Sequence, residues 1–196
     1  MHKLFVATDC RFTLLGIEAL MATSFLPVKV IHIQTPEDII TTQLSSGNSA
    51  ILVILQSGGI GMAAIGRFFL WRWAILNLNV KVGDIPCLLF SDNIEDCELG
   101  AYRLPQNLSL PTLSTYIIDA LIKPSLFIRP PSRVFKLTER QLHILERTLA
   151  GDSISRIADR LAIGKGAVFA SRTALIQKMG LRNRLELMSL AGKFFE

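Results

Sequence analysis

The stretch that most limits what this chain can fold into is its C-terminal one, Leu137 to Glu196, where apolar residues return at helical spacing in four separate bursts. Each burst has its own start and stop signal. Thr138 with Gln141 makes a capping box for the first helix, and Gly151 is placed to end it in a left-handed conformation. Ser153 caps a short second helix that reaches Leu161. Gly164 opens a third over Lys165 to Met179 and Gly180 closes it, while Asn183 with Glu186 forms another capping box before a fourth helix that continues to the end. Short helices joined by turns this tight pack only as a compact bundle.

The second and third helices, separated by Ala162-Ile163-Gly164, have the dimensions of a helix-turn-helix. Ile157, Ala158 and Leu161 supply the apolar face of the first member, and Val168, Leu175 and Met179 that of the second. The opposite face of the longer helix carries Lys165, Gly166, Phe169, Ala170, Thr173 and Gln177. In this motif the second helix enters the major groove and its outward residues meet base edges.

Leu137 to Leu187 resembles, without a gap, the C-terminal DNA-binding domain of the LuxR/FixJ class of bacterial transcription regulators. Matching positions include Leu137-Thr138, Arg140, Ile144-Leu145, Ala150-Gly151, Ser153, Ile157-Ala158, Leu161, Ile163, Val168, Lys178, Gly180, Asn183-Arg184 and Glu186. The resemblance implies a four-helix reader of double-stranded DNA whose last helix contributes to dimer contacts through Leu185, Leu187, Met188, Leu190 and Phe194. Departures fall on the reading surface. The family usually has Ser, Thr, Lys and His where this chain has Gly164, Ala167, Phe169 and Ser171, and a Glu where it has Arg156. That surface has lost a lysine and gained an aromatic ring, which suits a thymine methyl or a protein partner alike.

Charge follows the same division. Residues 1–122 hold seven Lys/Arg against ten Asp/Glu, residues 123–136 four basic residues and no acid, and residues 137–196 ten basic against six acidic. Positive charge is gathered where a polyanion would bind. Cys10, Cys87 and Cys97 are widely spaced, as are His2, His32 and His143, so no metal or catalytic grouping is expected and a reducing cytoplasm fits. No secretory leader is expected, because Asp9-Cys10-Arg11 interrupts the first apolar stretch.

Ser49 to Gly66 is eighteen residues without a charge, near the lower limit for a membrane span. It divides instead into a β-branched run, Ile51 to Leu55, a breaker, Gln56 to Gly59, and a helix bearing Arg67 and Arg72. No membrane partner is expected. Strands are predicted at Leu4 to Ala7, Val28 to Ile33, Ala50 to Leu55, Pro86 to Ser91 and Ala101 to Leu104, and helices at Thr13 to Thr23, Glu37 to Ser45, Gly61 to Asn77 and Thr112 to Ile122. Five alternations of strand and helix call for a doubly wound parallel sheet of flavodoxin-like type covered on both faces, so the whole chain is α/β plus all-α.

This half is similar to a response-regulator receiver domain, on KLFVATDCRFTLLGIEALM, on IPCLLFSD with Ser91 at the switch hydroxyl, and on LGAYRL. Its chemistry is incomplete. Asp9 stands for part of the acidic pair with Thr8 beside it, no Asp occurs from Ala50 through Gly83, Gln56 and Ser57 follow the third strand, and Pro105 falls at the lysine position. The expectation is a pseudo-receiver with no phosphoacceptor and no bound magnesium or other cofactor.

The organisation expected is a receiver-like domain over 1–122, a stiff, extended, basic Pro-rich linker over 123–136, and a LuxR-type helix-turn-helix domain over 137–196. The function expected is a cytoplasmic, non-enzymatic DNA-binding transcription regulator, a homodimer or a heterodimer with a relative. DNA contacts are expected from Lys165, Gly166, Phe169, Ala170, Arg172, Thr173, Gln177 and Lys178, with Arg182 and Arg184 as further phosphate candidates. The alternative is an interaction module that no longer reads DNA and antagonises another regulator through Phe169 and the last helix.

Overall fold

The computed structural model describes residues 1–41, 49–55, 60–79, 85–91, 99–129 and 136–191. Five parallel strands, β1 (His2–Ala7), β2 (Val28–Ile33), β3 (Ser49–Leu55), β4 (Cys87–Ser91) and β5 (Tyr102–Arg103), form one sheet in the order β2-β1-β3-β4-β5. That is a doubly wound order with its switch point between β1 and β3. Strand β3 is buried at every position, which its uninterrupted apolar run requires of a central parallel strand.

Alternation along the strands sorts the core into two layers. Phe5, Ile51, Val53 and Leu55 face α3 (Ile60–Asn79) and α2 (Glu37–Thr41), meeting Phe69, Leu70, Trp73 and Ile39. Leu4, Val6, Leu52 and Ile54 face α1 (Arg11–Ala22) and α4 (Leu110–Ile122), meeting Ile17, Met21, Ile117 and Leu121. Cys87 is part of the first layer, and burial pushes its thiol up to about 12, so it serves as an apolar packing group.

The charge-free run over 49–66 resolves into β3 and the start of α3, with 56–59 outside the described residues. Among the described residues no helix is long and apolar enough to cross a membrane. A helix apolar on all sides must be covered on all sides, and α3 is. Its Phe69, Leu70 and Trp73 lie on the sheet, while Ala64, Phe68 and Trp71 point away from it into the helical C-terminal half. Gly66 lets it approach the sheet, because a Cβ there would collide with Leu55 Cδ2.

Some boundaries differ from expectation. α1 begins at Arg11, two residues early, and α4 begins at Leu110 because Ser109 accepts from the backbone N–H of Thr112 and Pro111 suits the first turn. The described part of α2 ends at Thr41; Gln43 to Ser45, the acidic run Asp92 to Glu98, Cys97 and Phe194 lie outside the described residues. The opening of the expected linker is not extended. Pro124–Leu126 makes a 3-10 turn that buries Phe127 against Tyr102 at 4.8 Å between ring centroids, and Arg129 sits 4.9 Å from the Tyr102 centroid. Residues 130–135 are outside the described set.

The C-terminal region is a bundle of α5 (Glu139–Leu149), α6 (Ile154–Leu161), α7 (Lys165–Lys178) and α8 (Arg184–Ser189). The Thr138/Gln141 capping box forms with both of its hydrogen bonds. Helices α5, α6 and α7 all end in Schellman turns, shown by the bonds Asp152 N–H to Arg147 O, Ile163 N–H to Ala158 O and Leu181 N–H to Ile176 O. Gly151 and Gly180 supply the left-handed residue in two of them, at φ +85° and +69°; in the third it is Ala162, at φ 50°.

Candidate nucleic-acid interface

The turn between α6 and α7 is fixed from within. Ala162 reverses the chain, and Val168 and Leu175 from α7, with Met179 just beyond it, close over Ile157 and Ala158 from α6 in one buried cluster. Burying that side of α7 necessarily turns the other outward. Lys165, Gly166, Phe169, Ala170, Thr173 and Gln177 are all exposed, in steps of one helical turn along a single flank. Phe169 has 57% of its surface open. The hydroxyl of Thr173 donates back to Phe169 O at 3.2 Å, leaving its lone pairs facing outward as acceptors. Gly164 gives α7 no side-chain cap, so the first N–H groups of the helix have no side-chain acceptor.

Two of the predicted contact residues sit differently from the rest. Arg172 is only 9% exposed, packed with its guanidinium carbon 5.6 Å from the Phe169 ring centroid. Burial, and then the neighbouring charge of Arg184, holds its pKa below the ordinary arginine value. No carboxylate pairs with it among the described residues. Lys178 is tied into the bundle: its ammonium donates to Gln141 Oε1 at 2.8 Å and to Lys136 O at 3.4 Å, joining the end of α7 to the start of α5. Arg182, just before α8, and Arg184, its first residue, are exposed. Arg156, at a position where the resembled family carries Glu, holds Asp152 at 3.1 Å one turn back.

The fourth helix departs most from expectation. Asn183 caps it through Glu186 N–H at 3.0 Å, but the reciprocal arm of the expected box is missing. The Glu186 carboxylate instead accepts from the backbone N–H of Arg182 at 2.8 Å and from Arg67 Nη1, on α3, at 2.7 Å. Both side chains of that ion pair are almost fully buried, at 3% and 4% exposure. Around it Leu187 and Leu190 pack with Ala64, Phe68 and Trp71, the last two rings stacked at 5.8 Å. Among the described residues of the last helix, Leu187 and Leu190 therefore help seat the bundle on α3, Met188 is half-buried, and Leu185, 63% exposed, stands clear. Sequence reading missed this contact. Its visible trace was Arg67, set inside a largely apolar helix with Phe68, Phe69 and Trp71 following it.

The switch point of the sheet holds a cleft lined by Ala7, Thr8, Asp9, Ile33, Gln34, Ile54, Ile65, Gly66 and Phe69. Among the described residues Asp9 is the one carboxylate of that lining, and no group of three or more His, Cys, Asp or Glu is arranged to hold a metal. Ser91 is buried opposite Leu55 in the sheet register.

Residues 136–191 match the profile of the family described as bacterial regulatory proteins, luxR family. No curated protein sequence matches the chain. Among solved structures, full-length FixJ from B. japonicum is similar at 18% identity over 98% of each chain, with a TM-score of 0.42. A structure of two RcsB dimers bound to two parallel DNAs is similar at 15% identity over 98% of each chain, with a TM-score of 0.45. RcsB from Salmonella enterica serovar Typhimurium bound to a promoter gives 13% identity, 98% of each chain and a TM-score of 0.48. Residues 136–191 are thus similar to the luxR-family regulatory domain and follow an α/β unit with the doubly wound strand order β2-β1-β3-β4-β5.

Proposed function

We propose that this protein is a DNA-binding transcription regulator in which the outward flank of α7 reads the major groove of a duplex. The observation that carries this reading is the exposure of Lys165, Gly166, Phe169, Ala170, Thr173 and Gln177 as one uncovered strip on the second helix of a helix-turn-helix in a luxR-family domain. Lys165, the N–H groups at the start of α7, and Arg172 with Arg184 are the phosphate contacts. Arg172 is the best supported of these, because a backbone phosphate supplies an anion that its surroundings lack among the described residues. Phe169 and Ala170 present apolar surface to thymine methyls, and Thr173 and Gln177 hydrogen-bond to base edges. Lys178 serves the bundle first, through Gln141.

The α/β unit acts without accepting a phosphoryl group. Among the described residues its switch-point cleft has one carboxylate, Asp9, too few to hold a divalent cation by carboxylate oxygens. A single bundle buries little DNA surface, so useful affinity requires two copies on paired half-sites. The second reading, an antagonist that binds another regulator instead of DNA, is favoured by one observation, the open Phe169 ring on a flank short of lysine.

Genome-wide mapping of bound DNA at stated salt, with gel shifts on the recovered sites, separates the two. Recovery of a shared two-half-site sequence bound by the purified protein supports the reader. Absence of duplex binding at low salt, with stable capture of a related regulator, supports the antagonist.

A further inference from the structure

The basic edge of the bundle is built against its own electrostatics. Arg184 stands at the first position of α8, where the N–H groups of the first helical turn already carry partial positive charge. Its charge also reaches the enclosed Arg172, whose pKa is held down by burial and then by Arg184. Arg182, two residues earlier, is exposed as well. Like charges gathered this closely repel one another, so a free segment would swing them apart. The bonds around Glu186 hold them together.

Glu186 lies in the first turn of α8, and its two carboxylate oxygens go to different parts of the molecule. Oε2 accepts from the backbone N–H of Arg182 at 2.8 Å, and the Glu186 N–H donates to Asn183 Oδ1 at 3.0 Å, so residues 182–186 are closed on themselves. Oε1 accepts from Arg67 Nη1 at 2.7 Å, and Arg67 belongs to α3 in the α/β unit. A charge-assisted bond so well enclosed is short and directional, and removing one partner strands a buried charge. A second point of contact lies further along α8, where a Cβ built on Gly61 would meet Ser189 Cβ at 3.7 Å. Two points on α3 fix the direction of α8 as well as its place.

We propose, resting on the reading of α7 as the DNA-facing helix, that Arg67 is a positioning residue for duplex binding. Through the Glu186 carboxylate it holds the start of α8, and with it Arg182 and Arg184, beside Arg172 where one stretch of phosphate backbone reaches them. The α/β unit contributes to DNA binding in this way without touching the duplex.

The test is duplex binding by the full-length protein, on a recovered genomic site, across a range of salt. Arg67→Met with Glu186→Gln removes both charges together and keeps an amide oxygen for the Arg182 N–H, so this variant is expected to fold with a thermal midpoint near that of the wild type. Its affinity is expected to fall about tenfold, and the slope of log affinity against log salt to become shallower by about 1. Arg67→Lys, which keeps a cation against Glu186, is expected to retain the wild-type slope. Glu37→Gln cuts the more open pair that Arg72 makes from the same helix, and is expected to change neither quantity. A purely structural pair would lower the fraction of folded protein and leave the slope as it was. Should the double variant not fold, Glu186→Gln alone, which keeps the length of the side chain and one oxygen, carries the same expectation at smaller size. An unchanged slope in the folded variants, or a rise in affinity, overturns the role of Arg67 and leaves duplex reading by α7 standing. A wild-type protein that binds no duplex at low salt overturns the reading of α7, and the role of Arg67 with it.

Discussion

The two longest helices of the molecule, α3 and α7, treat their arginines in opposite ways. On α3, Arg67 is buried against Glu186 at 2.7 Å and Arg72 reaches Glu37 at 2.8 Å. On α7, Arg172 is nearly as enclosed as a core residue, yet its charged neighbour is another arginine. A paired, buried arginine fixes structure; one held beside an aromatic ring and a like charge is, under the proposed function, the one that takes an anion from outside. The same contrast separates the helices' surfaces. Both faces of α3 are covered, one by the sheet and one by α8, whereas one flank of α7 is left bare.

That contrast breaks first at Arg67. Arg67→Ala strands the Glu186 carboxylate among Phe68, Trp71, Leu187 and Leu190, and the expected loss of stability is about 3–5 kcal/mol, read from denaturant unfolding. A loss below about 1 kcal/mol would place the pair in water, as for a surface ion pair. Arg172→Ala should behave in the reverse manner. Little stability is lost, duplex affinity falls across all sequences, and the slope of log affinity against log salt becomes shallower by about 1. An unchanged slope would return Arg172 to a purely structural role. The smallest effect is expected at the turn, where Ala162→Gly relieves a left-handed alanine and should stabilise the bundle by up to about 1 kcal/mol. A decrease would mean that the Ala162 methyl makes contacts worth more than its backbone strain.

Much of the fold was legible in the sequence, and what was legible was local. The Thr138/Gln141 box, the glycines at 151 and 180 and the β-branched run of β3 each act over a few residues, so reading them needed no knowledge of the partner. The Asn183/Glu186 box was legible only in half, because the carboxylate was claimed by an arginine 119 residues away in sequence. The turn at Pro124–Leu126 was hidden for a related reason: prolines and charges signal a linker, while the burial of Phe127 depends on Tyr102 and Tyr116 from elsewhere in the chain. At the candidate site, helical periodicity gave the outward flank of α7. It gave neither the enclosure of Arg172 nor the engagement of Lys178 with Gln141, which depend on α8 and α5.

The most direct test replaces Phe169 with a photoreactive phenylalanine analogue and irradiates the protein on a recovered genomic duplex and in a cell extract. Covalent attachment to the duplex, from the middle of the flank that α7 leaves uncovered, is the expected product. Attachment to protein alone, with the duplex unmarked even at low salt, would contradict the reading of that flank as the DNA-facing surface.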